Sequence, residues 1–279
     1  MEEKRPAVLV TGAFSGIGLA CARRLEEAGF RVFAGGRRPP AAPPGPGTPV
    51  LLDVTDRESI ALAARAVEAA APGGLAGLVN NAGVVSAGPL EFLPLDEIRR
   101  PFEVNVFGAL AVTQAFLPLL RRARGRVVFM SSVSGLVATP FLGPYAASKF
   151  ALEALGDALR MELSPWGLDV AIVEPGSTAT PLWEKSRRAA RGILERLPPE
   201  ARALYGEALA RVEEASRRVE ARGVPPDAVA RAVLHALTAR RPRARYRVGA
   251  ETRLQAALLR ARPDRWRDRV HLRVLRREP

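Results

Sequence analysis

The chain has 279 residues, 48% hydrophobic and 25% charged, with a formal net charge of +13. That length allows a sizeable core, while the single cysteine and ordinary apolar fraction exclude disulfide-built, collagenous and disordered chains. The charge is lopsided: residues 185–279 hold 25 Lys+Arg against 11 Asp+Glu, a net of +14, and residues 1–184 balance at −1. Clustered arginine is the footprint of an anionic partner such as nucleic acid, or of solvated helix faces. Leu254, Leu258, Trp266 and Leu272 interleave the arginines, which suits amphipathic packing and argues against a nucleic-acid role.

From the N-terminus, Met1–Pro6 is short and charged, and the apolar run Ala7–Val10 is too brief for a signal-peptide core. No stretch reaches the ~20 consecutive apolar residues of a membrane-spanning helix. With Cys21 alone, the expectation is a cytoplasmic protein with no membrane span. Ala7–Thr11, Arg31–Ala34, Val50–Leu52, Leu78–Asn80, Arg126–Ser131 and Asp169–Val173 read as strands without polar alternation, as strands buried on both faces should. Gly16–Ala28, Arg57–Ala70, Phe102–Arg122 and Tyr145–Leu163 read as the helices between them. This alternation predicts an α/β doubly wound parallel sheet. Pro101 is expected to separate a short helix from the long one that follows. The Pro-rich run 39–47 predicts a stiff surface loop. From Thr180 the pattern becomes Arg/Glu-rich helices, roughly Pro199–Arg222 and Asp227–Ala239, then a short strand Tyr246–Val248 and two Arg-rich helical stretches. No linker divides the chain, so 1–279 is expected to be one domain: a core over 1–181, then a lid and basic helical region over 182–279.

Thr11–Gly18 follows the first strand and opens the first helix, with Gly12, Gly16 and Gly18 spaced G-x-x-x-G-x-G. A glycine turn there lets the backbone approach a pyrophosphate at the helix N-terminus. The acid that usually holds an adenosine ribose after the second strand is missing, and Gly35-Gly36-Arg37-Arg38 stands in its place. A guanidinium suits a 2′-phosphate, so NADP(H) is favoured over NAD(H); the alternative is two more arginines in an Arg-rich chain. Tyr145 and Lys149 lie one turn apart on a helix, where an ammonium would draw the phenol's pKa down toward the range of a general acid/base. Ser132 sits just past the strand Arg126–Ser131, at the end of the sheet where ligands bind.

Together these residues resemble the short-chain dehydrogenase/reductase family. Thr11–Gly18, Asp53, Asn80-Asn81-Ala82-Gly83, Asn105, Ser132, Tyr145, Lys149 and Pro175-Gly176 match its motifs in order and spacing, over about residues 7–181. The resemblance implies a Rossmann-like fold and hydride transfer between NADP(H) and a carbonyl or alcohol. Tyr145 would be the acid/base, Ser132 would bond the substrate oxygen, and Lys149 would bind the nicotinamide ribose. Asn105 would hold a water of a proton relay, and Asp53 and Val54 would contact the adenine. Asn80, Ala82 and Gly83 would sit beside the cofactor with Gly12, Ser15, Gly16, Ile17 and Gly18. Ser15 and Arg37 would bind the 2′-phosphate, and Val173, Pro175, Gly176 and Thr178 would lie near the nicotinamide. It also implies a homodimer or homotetramer, with the helices Phe102–Arg122 and Tyr145–Leu163 paired.

A looser similarity of Met130–Trp183, Arg245–Gly249 and Pro263–Trp266 to the hydroxysteroid and retinol dehydrogenase branch implies a small lipophilic substrate. The uncharged loop Ser134–Gly143 agrees, with Leu136, Phe141, Leu142, Leu182 and Trp183 as candidate pocket residues. Two other readings are a reductase of 3-oxoacyl thioesters and a nucleotide-sensing regulator with a nucleic-acid-binding tail. His235 and His271 stand alone, and no metal site is expected.

Overall fold

The computed structural model describes residues 5–38, 45–249 and 263–275. The expected stiff loop over 39–47 and the first of the two Arg-rich stretches therefore fall wholly or mostly outside the described residues. Seven strands form one parallel sheet in the order β3-β2-β1-β4-β5-β6-β7. They are β1 (Ala7–Thr11), β2 (Arg31–Gly36), β3 (Thr48–Leu51), β4 (Gly77–Asn80), β5 (Arg126–Met130), β6 (Val170–Pro175) and β7 (Arg245–Val248). Every residue of β1, β4 and β6 is buried, because helices cover both faces of the sheet.

On one face α2 (Arg57–Ala70), α4 (Ala109–Ala123) and α5 (Gly143–Leu163) pack around Leu9, Phe116, Leu120 and Phe129. On the other, α1 (Gly16–Glu27) and α8 (Pro226–Thr238) enclose Val10, Cys21, Leu25, Val128 and Val233. Cys21 is a small core residue, its thiol pushed up to about 12 by burial and, secondarily, by Asp227. Residues 182–279 do more than cap the site: α8 covers the sheet and β7 extends it.

Pro101 does not break its helix. α3 (Leu95–Phe102) runs through a π-helical turn, Glu103–Gly108, directly into α4. Proline removes one backbone donor and crowds the carbonyl four residues back, and the wider turn just after it takes up the misfit. Continuous over the 29 residues Leu95–Ala123, this helix is long and apolar enough by composition to cross a membrane, contrary to the expectation that no stretch qualifies. Half of its apolar window is buried, and Val112, Phe116 and Leu120 pack in the core against α2 and the sheet.

After β6 come α6 (Pro181–Arg196) and α7 (Pro199–Ala221). Ile193, Leu197 and Ala201 bury against Leu93, with Phe92 and Ile98 alongside. α9 (Asp264–Leu275) lies against α7.

Candidate active site

In an open parallel sheet, the chain leaves neighbouring strands in opposite directions where the order reverses, and a crevice opens at their carboxyl ends. Here β1 and β4 flank that point, and a cavity of about 860 Å³ lies along the carboxyl ends of β1 through β6.

The glycine turn forms its floor. Gly12 has φ +65°, and a Cβ on Gly18 would lie 2.2 Å from the Gly12 carbonyl oxygen, so only glycine lets α1 start this close to β1. Ser15 caps α1 with extended backbone, but its side chain makes no capping bond. The first-turn N–H groups thus face the cavity without side-chain acceptors, which fits a pyrophosphate. Exposed Arg37 lines the same cavity just past β2. Asp53 lines it past β3: burial raises its carboxyl, but hydrogen bonds from the Thr55 N–H and hydroxyl, with the Arg37 charge, outweigh this and hold it below the usual range.

The reactive side chains come from β5 and α5. Ser132 follows β5 with extended backbone, and its Oγ accepts from Ser134 N at 3.1 Å, which leaves its proton free to donate. Tyr145, Ser132 and Lys149 are all buried. Burial raises the Tyr145 phenol, and a hydrogen bond with Ser132 opposes that rise without cancelling it. The expectation that Lys149 draws this phenol down is therefore corrected: desolvation dominates. Lys149 donates to the Met130 carbonyl at 2.7 Å, and its ammonium lies 5.7 Å from the Tyr145 ring centre. Burial brings Lys149 down to about 8, against a smaller opposing contribution from Glu153.

Gly12, Ser15, Gly16, Ile17, Arg37, Asp53, Val54, Ala82, Gly83, Ser132, Tyr145, Lys149, Pro175, Gly176 and Thr178 all line this one cavity. Other expected residues do not. Asn80 donates to Thr113 Oγ1 at 2.8 Å in the core, whereas its neighbour Asn81 lines the cavity and bonds the Thr11 and Gly12 carbonyls. Gly18 stands behind the glycine turn. Asn105 Oδ1 accepts from Val84 N, and Nδ2 donates to Val84 O and Ser148 Oγ. Its side chain thereby ties the loop after β4 to α5, and Oδ1 keeps a second lone pair.

Of the candidate substrate residues, Leu142 caps α5, Leu136 packs with Val137, and the Phe141 ring meets Tyr205 edge-on at 6.0 Å; none lines the cavity. The side chains of Leu182, Trp183 and His271 lie outside the described residues. His235 is exposed, with Nδ1 2.9 Å from the Tyr246 hydroxyl. Arg99, Arg100, Glu103 and Val104, from α3 and the π turn, do line the cavity, as do Val84 and Val85. No motif marks them; only the path of the helix brings them there. Among the described residues, no group of three or more His, Cys, Asp or Glu is placed to hold a metal.

A family model described as short chain dehydrogenase matches residues 6–191. The chain is 34% identical to the NADPH-dependent 3-dehydrocapnine reductase of Ornithobacterium rhinotracheale, over 96% of this chain and 97% of that protein. It is 41% identical to human retinol dehydrogenase 5, over 88% of this chain and 81% of that protein. It superimposes on a short chain dehydrogenase from Burkholderia cenocepacia, solved in complex with NADP, with a TM-score of 0.73, 28% identity and coverage of 99% and 100%. The chain belongs to the short-chain dehydrogenase/reductase family. It is an NAD(P)-dependent oxidoreductase acting on alcohol and carbonyl groups.

Proposed function

We propose that the protein transfers hydride between NADP(H) and a small lipophilic ketone, aldehyde or alcohol. The observation that carries this is one cavity shared by Ser132, Tyr145 and Lys149 with the glycine turn and Arg37. Gly12, Ser15, Gly16 and Ile17 would hold the pyrophosphate, with Arg37 and the unused Ser15 hydroxyl toward a 2′-phosphate and Asp53 and Val54 beside the adenine. Thr178, Pro175 and Gly176 would border the nicotinamide. When bound, the nicotinamide supplies or accepts the hydride. The protein's own groups manage the proton. With its phenol held above the ordinary value, Tyr145 is protonated near neutrality and donates to the developing alkoxide in reduction. The Ser132 hydroxyl donates to the same oxygen. Lys149 uses one of its three N–H bonds on Met130 O, and the other two are available to the ribose and to Tyr145. Asn105 acts by fixing the Val84 loop against α5.

The lipophilic reading rests on Val84, Val85 and Val104 in the cavity wall. The names of two relatives, an NADPH-dependent reductase and a retinol dehydrogenase, support the cofactor and the substrate class. The test is a panel of apolar ketones and aldehydes plus an acetoacetyl thioester, followed by NADPH oxidation with NADH in parallel. The reading expects turnover of an apolar carbonyl, with NADPH preferred by about tenfold or more, as one phosphate–guanidinium contact supports. Preference for NADH, or turnover of the thioester alone, would sink it. The same reading makes the chain a homo-oligomer, since Phe107 on the π turn and Phe150 on α5 are both exposed.

A further inference from the structure

Lys149 is not the last charge inside α5. One turn on, at the (i, i+4) position, stands Glu153, 7% exposed and on the side of the helix that faces β6 and β7. Its Oε2 accepts from Arg245 Nε of β7 at 3.1 Å, and its Oε1 is buried with no hydrogen-bond partner among the described residues. Arg245 also reaches Asp157 of α5 at 2.6 Å and Glu174 of β6 at 3.2 Å, and Arg247 holds the second Glu174 oxygen at 2.9 Å. Glu174 itself is fully buried. The groups facing Glu153 are thus Lys149 on α5, Ser131 after β5, Glu174 on β6 and Arg245 on β7, with Asp157 and Arg247 reached through Arg245 and Glu174.

We propose that Glu153 is a positioning residue that keeps buried Lys149 in its ammonium form, with Arg245 holding Glu153 ionised in turn. From Glu153 the ion pairs run unbroken to the edge strand, carboxylate, guanidinium, two further carboxylates, guanidinium, and Lys149 stands one helical turn before Glu153 on the same face of α5. A buried ammonium without a nearby anion gives up its proton. The anion nearest in the chain is Glu153, and the Met130 carbonyl supplies only a dipole. Glu153 has the same difficulty: burial raises it most, the approach of Glu174 adds to this, and Ser131 and Arg245 oppose both. Arg245 can do this because β7 pairs with β6 in a register that sets Ile172 beside Arg245 and Glu174 beside Arg247. Two arginines of the basic C-terminal third thereby act on the protonation state of the site.

This inference rests on Lys149 belonging to the reaction, but it is testable without turnover. The chain has three lysines, Lys4, Lys149 and Lys185, so 13C-lysine labelling of the full chain gives three side-chain signals. The Lys149→Arg variant identifies the one of interest. Glu153→Gln is expected to lower the Lys149 titration midpoint by about one pH unit, the smaller end of the effect of a near opposite charge. Glu153→Asp, which keeps the carboxylate, should recover most of that shift. In the unaltered chain the same signal should show a second, smaller step in acid, where Glu153 gains its proton. The kcat profile of Glu153→Gln should move to lower pH, because removing a negative charge weakens proton binding at both Tyr145 and Lys149.

An unmoved Lys149 midpoint in Glu153→Gln, or a flat acid region in the unaltered chain, overturns the proposal and leaves the cluster a clamp between α5 and β7. A moved midpoint in a protein that reduces no carbonyl would leave this inference standing and remove the proposed function.

Discussion

Lys149 pays for its place in the site with stability. Its pKa falls from 10.5 to about 8, so at neutral pH the folded chain holds a charge that water would hold better. A depressed ammonium costs stability wherever it stays charged, and at pH 7 that cost is fully present. Lys149→Met should therefore abolish turnover yet raise unfolding free energy at pH 7, measured by denaturant titration. The sign has a pH signature. Because the folded pKa is depressed, wild-type stability rises as pH climbs from about 8 toward 10.5, and the variant's advantage shrinks over that window. A variant less stable at pH 7 would contradict this account.

At the same scale, legibility differed between neighbours. Ser132, Tyr145 and Lys149 were readable because helical spacing and position after a strand fix where such side chains point. Asn80 and Asn81 were not separable. Successive residues at a strand's end face opposite ways, and only the fold shows that Thr113 takes the first and the cavity takes the second. The state of the Tyr145 phenol was misread for a related reason: a one-turn spacing reveals a charge nearby but not the desolvation that outweighs it.

At the level of elements, uninterrupted apolar runs identified all the central strands, since a strand covered on both faces cannot alternate. Boundaries moved by a few residues; β6, for instance, continues through Glu174 and Pro175 because β7 pairs with it. Proline misled at residue 101, where local rules end a helix but packing against α2 and α5 carries it on through a π turn. That continuation brings Arg99, Arg100 and Glu103 into the cavity wall, with no motif to announce them. The substrate side was least legible. The loop Ser134–Gly143 has the right chemistry for a pocket, yet Leu136 and Phe141 are engaged with Val137 and Tyr205.

Across the whole molecule, a share of the arginines of the basic C-terminal third is paired within the chain. Arg187, Arg191, Arg211, Arg217 and Arg218 pair with glutamates on α7, and Arg231 and Arg24 both pair with Asp227. Most of these pairs are exposed and contribute little individually. Arg245 and Arg247 differ, because their partners Glu153 and Glu174 are buried behind the catalytic helix. Outward, exposed Phe107 and Phe150 favour self-association through the α4 and α5 side. Light scattering should give the mass of two or four chains, and a monomer at micromolar concentration would refute that assembly.

The central claim is that Tyr145 exchanges the reaction's proton. Its most direct test is the turnover of Tyr145→Phe on a carbonyl that the wild type reduces, with circular dichroism and cofactor binding as controls for fold. The account predicts folded protein that still binds NADPH but turns over about a hundredfold or more slowly, as expected on losing a general acid. Wild-type turnover in that variant would contradict it.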